Sequence, residues 1–258
     1  MESEITMNIQ ESINQTKTEF EKSFATGDFY NKQTQDNKHL EQILNFLPLK
    51  SNMKILDLGT GSGYLSFEIA KKHPNIQVTG LDIVEKALEA NRKKAEQLNI
   101  KNIRFISYGG ADFPFKDNEF DMVVSRYALH HFPQIKDSIA EVSRVLKTDG
   151  HFFVSDPTPN NDDIHRFVDA YMQLKKDGHI KFYTLTEWID MCKACSLQFE
   201  GSFESSIRFP KLKDTAYGFD ELIQKYDKDT IAGYELEIIG NEIYVTEKVN
   251  NVLFCKCK

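Results

Sequence analysis

Lys54-Ile55-Leu56-Asp57-Leu58-Gly59-Thr60-Gly61-Ser62-Gly63-Tyr64-Leu65 is the stretch that decides the fold. Its first five residues form a short apolar run, the pattern of a strand buried on both faces. Three glycines at alternate positions follow. A helical pattern then runs from Ser62 to about Lys72 and is closed by His73-Pro74-Asn75. A glycine turn between a strand and a helix lets a ligand approach bare backbone. The start of the helix adds free N–H groups and a partial positive charge, which suit a carboxylate or phosphate.

The same alternation continues outward from this turn. Strands are expected at Ile76–Leu81, 103–106, 120–124 and 150–154, with helices at Glu85–Leu98 and Ile135–Leu146 between them. Strands alternating with helices of this length mean βαβ units and a parallel sheet covered by helices on both faces. Upstream, Leu40, Ile43, Leu44 and Leu47 recur at helical spacing before Pro48, while the first 37 residues are polar and weakly periodic. Downstream, Asp156-Pro157-Thr158-Pro159 reads as a turn. Helices follow near Asp163–Lys175 and Thr186–Cys195, the second opening on Thr184 and Glu187 at capping-box spacing. The tail alternates through Leu236–Ile238, Ile243–Val245 and Val252–Phe254, with Asn241 as a turn, and is expected to add antiparallel strands at one sheet edge.

Composition narrows the function. The chain has 258 residues, 40% of them hydrophobic and 28% charged, which is ordinary for a globular protein and excludes global disorder. A net charge of −7 does not steer it toward phosphate backbones, so no nucleic acid is expected and a small molecule is the default partner. No membrane span or cationic leader is legible, and the expected location is the cytoplasm. A homodimer stays open. Cys192, Cys195, Cys255 and Cys257 have spacings that admit a four-thiolate zinc site, but ordinary buried thiols give the same spacings, so no metal is assigned.

Two cofactor classes compete for the glycine turn. Asp82 ends the second strand about 20 residues after it, where an acid hydrogen-bonds ribose hydroxyls in dinucleotide folds. A nicotinamide fingerprint needs a glycine where Tyr64 stands, and Asp57 would repel a pyrophosphate. S-adenosylmethionine carries an ammonium and a sulfonium, which carboxylates at 57 and 82 attract. The charges therefore favour S-adenosylmethionine over NAD.

Together with Val78–Ile83 (VTGLDI), Phe113–Val124 (FPFKDNEFDMVV), Ser125–Phe132 (SRYALHHF) and Glu141–Gly150 (EVSRVLKTDG), the opening stretch resembles the class I S-adenosylmethionine-dependent methyltransferases. The similarity runs from about residue 38 to 157. It looks most like the small-molecule members of ubiquinone and menaquinone biosynthesis. The resemblance implies an α/β, Rossmann-like sheet of seven strands in the order 3-2-1-4-5-7-6, mostly parallel, with strand seven antiparallel. It implies that Asp57, Gly59, Thr60, Gly61 and Gly63 hold the methionine part, that Asp82 holds the ribose and that Ile83 packs on adenine. It also implies that Tyr30 closes over the cofactor. Relatives carry Gly-Asp-Ala before the motif matching Phe113-Pro114-Phe115, whereas this chain has Tyr108-Gly109-Gly110. The adenine-contacting acid is missing, which leaves Asp112, or the backbone at Gly110 and Ala111, to read adenine.

Methyl transfer is an in-line displacement in which alignment and desolvation supply much of the rate. The site should lie at the carboxyl ends of the strands. Arg126, His130 and His131, after strand four, are the candidates for substrate or base roles, and Arg126 also for the cofactor. The acceptor pocket is expected from a helical cap within residues 1–50, over a domain of residues 51–258, and from a substrate-side helical insertion around 158–235. That insertion carries Phe167, Tyr171, Met172, Phe182, Tyr183, Trp188 and Phe209. Quinone-ring C-methylation, and binding of S-adenosylmethionine or S-adenosylhomocysteine without turnover, are the rival readings.

Overall fold

The computed structural model of the chain describes residues 9–26, 36–175 and 177–257. Helices α1 (Ile9–Thr26) and α2 (Asn37–Phe46) precede β1 (Lys54–Leu58), α3 (Tyr64–Lys72), β2 (Gln77–Asp82), α4 (Glu85–Gln97), β3 (Ile103–Ser107) and β4 (Phe120–Arg126). Then come α5 (Ile135–Val145), β5 (Leu146–Thr158), α6 (Phe167–Gln173), α7 (Leu185–Ala194) and β6 (Leu197–Leu212). Two short helices, α8 (Phe219–Leu222) and α9 (Lys228–Ala232), lead to β7 (Glu237–Ile239) and β8 (Glu242–Lys256).

The sheet order is β3-β2-β1-β4-β5-β8-β6, with β7 added alongside β8. The first five strands are mutually parallel, and β8 enters antiparallel between β5 and β6. This is the expected order with one strand more, because the hairpin at Gly240-Asn241 lets β7 pair with the outer half of β8.

Alternation along the strands sorts the core into two faces. Leu56, Leu58, Val123, Phe152 and Phe254 pack against Ile139 and Val142 of α5 and Trp188 of α7. Ile55, Val78, Met122, Phe153 and Leu253 pack on the opposite face, against Leu40 and Ile43 of α2 and Leu65 and Ile69 of α3. The capping box at Thr184 and Glu187 forms as expected and starts α7. Among the described residues no helix is long and apolar enough to cross a membrane.

Three local expectations are corrected. Asp156-Pro157-Thr158 is strand rather than turn. The pairing of β5 with β4 stops at Ser155, so Pro157 sits where β5 keeps only β8 as a neighbour and its missing N–H breaks no ladder to β4. The segment from Leu197 to Leu212 is a long edge strand rather than part of a helical insertion. Its Gly201 falls at a register shift and its Pro210 toward the outer end. The tail segments Ile243–Val245 and Val252–Phe254 are one strand. Its outer half alternates between buried and half-buried, and its inner half is buried on both faces. Asn251 in the middle is tolerated because its amide accepts from His39 Nε2 at 2.9 Å and donates to Ser205 Oγ at 2.9 Å.

Candidate active site

A cleft with about 1040 Å³ of free space, counted to its mouth, opens at the carboxyl ends of β1, β2 and β4. The glycine turn forms its floor. Gly59, Gly61 and Gly63 all take positive φ, at 68°, 48° and 73°. Gly59 and Gly63 are held by close packing, and Gly61 by the cleft. A Cβ at Gly59 would overlap Ala128, and one at Gly63 would meet the Phe67 ring at 2.8 Å. A Cβ at Gly61 would meet nothing within 4 Å, because this residue faces the open cleft. Its left-handed backbone presents bare peptide to whatever enters.

The two carboxylates hold this turn. Asp82 Oδ2 accepts the Gly61 N–H at 2.8 Å, and Oδ1 accepts the Val84 N–H at 2.9 Å. Asp57 Oδ2 accepts the hydroxyls of Thr60 at 2.8 Å and Ser66 at 2.6 Å. Burial pushes the pKa of both carboxyls up, and these hydrogen bonds oppose the rise. Both residues line the cleft. Gly80 gives the turn its seat, since a Cβ there would crowd Phe105 at 2.6 Å and Thr60 Cγ2 at 2.9 Å.

The far wall comes from the end of β4. Tyr127 takes φ 53°, an unusual value for a bulky residue, and its N–H is held by the Ser155 carbonyl at 2.8 Å. This reversal sets Ala128 against Gly59 and leaves Arg126 on the cleft side. The Arg126 guanidinium lies 4.7 Å from the Tyr64 ring centre and 4.0 Å from that of Tyr127. Stacking on two rings fixes a positive charge at the cleft without removing it from its entrance.

The adjacent histidines separate. His131 lines the cleft, with the Phe20 ring edge-on at 5.1 Å. Burial, followed by the neighbouring His130, pushes its pKa down to about 3, so it is neutral at physiological pH. His130 stands behind the wall. Its Nδ1 lies 2.7 Å from Asp156 Oδ1, and its backbone N–H donates to Asp156 Oδ2 at 3.0 Å. Burial holds His130 well below the usual imidazole range and pushes Asp156 up to about 8. Burial disfavours the charged form of both partners, which favours a neutral hydrogen bond between them over an ion pair.

Of the other residues singled out by sequence, Thr60, Ile83 and Gly110 line the cleft. Gly63 serves instead as the N-cap of α3, and Ala111 and Asp112 are exposed outside the lining. Tyr30 lies outside the described residues. The aromatic residues of 158–235 do not reach the cleft. Phe167, Tyr171, Met172 and Phe182 form a separate core with Phe219 and Tyr234, and Tyr183 and Trp188 join the core under α5. The four cysteine sulfurs do not gather into one cluster either, and Cys192 is buried in that same core under α5.

Of the expected N-terminal cap, α1 supplies Ile13, Thr16, Phe20 and Phe24 to the lining, none of them among the residues singled out by sequence. The signal was present, for Ile9, Ile13, Phe20 and Phe24 recur at helical spacing among long polar side chains. Ile13 sits 3.1 Å from where a Cβ on Gly110 would lie, so the bare backbone at Gly110 is what lets α1 close down. Tyr108 lines the cleft next to Gly109, the position that matches the missing acid, and packs edge-on against Phe113 at 5.7 Å.

Comparison with known proteins agrees with this geometry. Residues 49–198 match the family model of a methyltransferase domain. The chain is 29% identical over 167 residues to the uncharacterised methyltransferase YcgJ of Bacillus subtilis, covering 64% of this chain and 65% of that protein. It is 37% identical over 106 residues to the ubiquinone/menaquinone biosynthesis C-methyltransferase UbiE of Rickettsia felis, covering 39% of this chain and 43% of that one. These matches thus span less than two thirds of the relatives' own lengths. The crystal structure of YcgJ has a similar fold, with TM-score 0.74 and 22% identity over 86% of this chain and all of that one. A geranyl diphosphate C-methyltransferase from Streptomyces coelicolor, solved with Mg2+, geranyl diphosphate and S-adenosyl-L-homocysteine, shares the fold at TM-score 0.62 and 15% identity, over 85% of this chain and 78% of that one. The chain belongs to the methyltransferase domain family, and its Rossmann-like sheet is that of a class I S-adenosylmethionine-dependent methyltransferase.

Proposed function

We propose that the chain transfers a methyl group from S-adenosylmethionine to a small, largely apolar acceptor. The observation that carries this reading is the open side of Gly61. A positive-φ glycine borders free space between two buried carboxylates, a cradle that any side chain would fill. When bound, S-adenosylmethionine supplies a methyl group on a positively charged sulfur with a good leaving group. Asp82 keeps lone pairs for ribose hydroxyls while it holds the Gly61 N–H. Ile83 and Val84 offer an apolar face to adenine. Asp57 adds negative charge near an ammonium, and Arg126 offers a partner to a carboxylate.

Within residues 1–50, α1 acts as the cover, and residues 51–258 form the domain beneath. The support is α1, which brings Ile13, Phe20 and Phe24 over the cleft opposite Phe132 and Pro133. These side chains exclude water and fit an apolar or flat acceptor rather than a charged polymer. His131, neutral in this wall, orients the acceptor. Quinone-ring C-methylation is the second reading, favoured by the similarity to UbiE and by the aromatic wall. Incubation with S-adenosylmethionine and a panel of hydroxylated aromatic and aliphatic acceptors, followed by mass spectrometry, tests this. S-adenosylhomocysteine and a methylated apolar product in equal amounts support it. Cofactor binding without product from any acceptor, including a metabolite extract, favours a protein that binds without turnover.

A further inference from the structure

Away from the cleft, three neighbouring strands bring an imidazole, a carboxylate and a thiol to one spot. His151 in β5 stands opposite Cys255 in β8, and Cys255 stands opposite Gln198 in β6 on its other side. The pairing of β6 with β8 shifts register between Phe199 and Gly201, which leaves Glu200 as an extra residue without a partner on β8. Bulges of this kind re-aim a side chain. A ring nitrogen of His151, a carboxylate oxygen of Glu200 and Sγ of Cys255 consequently all lie within 4.8 Å of one another.

The spacing suits a cation better than a direct ion pair. His151 Nε2 is 3.3 Å from Glu200 Oε2. A charge-assisted N–H···O bond would be shorter, at about 2.7–2.9 Å. Two ligand atoms at about 2.0–2.1 Å from a metal and about 109° apart are separated by about 3.3–3.4 Å. The His151 side chain is 16% exposed and that of Glu200 40% exposed, so the spot is partly open to solvent. None of the three residues lines the cleft.

We propose that His151, Glu200 and Cys255 bind one zinc-class divalent cation, with the fourth position taken by water. The mixed nitrogen, oxygen and sulfur set selects against Mg2+ and Ca2+, which take oxygen ligands. Such a cation clamps β5, β8 and β6 together where the sheet turns antiparallel. It stabilises the fold without entering methyl transfer.

The test uses the full chain freed of metal by chelation. Equilibrium dialysis against Zn2+ should give one ion per chain, and Co2+ should give a thiolate charge-transfer band. Cys255→Ser should abolish that band. His151→Ala and Glu200→Gln should each weaken Zn2+ binding by about tenfold or more. Cys257→Ser, just past the end of β8, should leave both unchanged. Zn2+ should raise the melting temperature of the unaltered chain but not that of Cys255→Ser, with circular dichroism confirming that each variant is folded. No retained zinc, or a charge-transfer band that survives Cys255→Ser, overturns the proposal.

Discussion

Replacing Asp82 with Ala removes the acceptor that the cofactor reading assigns to the ribose. It also removes the acceptor of the Gly61 N–H at 2.8 Å and of the Val84 N–H at 2.9 Å. A hydrogen bond to a charged group contributes about 1.5–3 kcal/mol, so S-adenosylmethionine affinity should fall about tenfold to about 150-fold. The fold should lose stability as well, because Asp82 is only 8% exposed and each N–H left unsatisfied costs about 1–3 kcal/mol. Asp82→Asn separates the two effects. Its amide oxygen keeps one acceptor and the shape of the turn, so it should melt closer to the unaltered chain and still bind the cofactor weakly. Isothermal titration with S-adenosylmethionine and S-adenosylhomocysteine, alongside thermal melts, reads both quantities. A folded Asp82→Ala chain whose affinity stays within about twofold of the unaltered one would refute the ribose placement.

Gly61→Arg should abolish cofactor binding with little change in secondary structure, because the new side chain projects into the cleft from a left-handed position; unchanged affinity in titration argues against the placement. Phe20→Ala should raise the acceptor KM by up to about tenfold and leave S-adenosylhomocysteine affinity nearly constant, since it removes only the aromatic wall beside His131; equal losses in both would place Phe20 on the cofactor instead. Asp156 is pushed up to about 8 by burial, so its stabilising contribution is complete below about pH 4 and is lost as pH rises through about 8. Asn cannot ionise and can donate to His130 Nδ1, so Asp156→Asn should flatten the fall in melting temperature between about pH 5 and about pH 8; parallel curves would contradict the neutral pair.

The parallel half of the sheet was legible because its physics is local. Strands β1 to β4 are short apolar runs, each followed by a turn or helix signal, and the glycines at 59, 61 and 63 mark the turn where the backbone bends sharply at the cleft floor. The antiparallel half was less legible. β6 carries Gly201, Ser205, Ser206 and Pro210, which look like loop, and it is a strand because β8 pairs along nearly its whole length. The polar pair Asn250-Asn251 looks like a break in β8, and only tertiary partners at His39 and Ser205 satisfy the buried Asn251 amide. His130 and His131 are indistinguishable by composition; a single turn of 3-10 helix at Leu129–His131 sends one into the wall and the other onto it. Of the set at His151, Glu200 and Cys255, only the thiol drew notice in the sequence, and with different partners, because the grouping depends on a bulge and on strand order.

A crystal structure grown with S-adenosylhomocysteine tests the central claim most directly. The account predicts ribose hydroxyls on Asp82, the amino-acid part against the backbone of Gly59 to Gly61, and the sulfur facing the wall of Phe20 and His131. A ligand bound elsewhere, or a glycine turn that remains empty at saturating ligand, would contradict it.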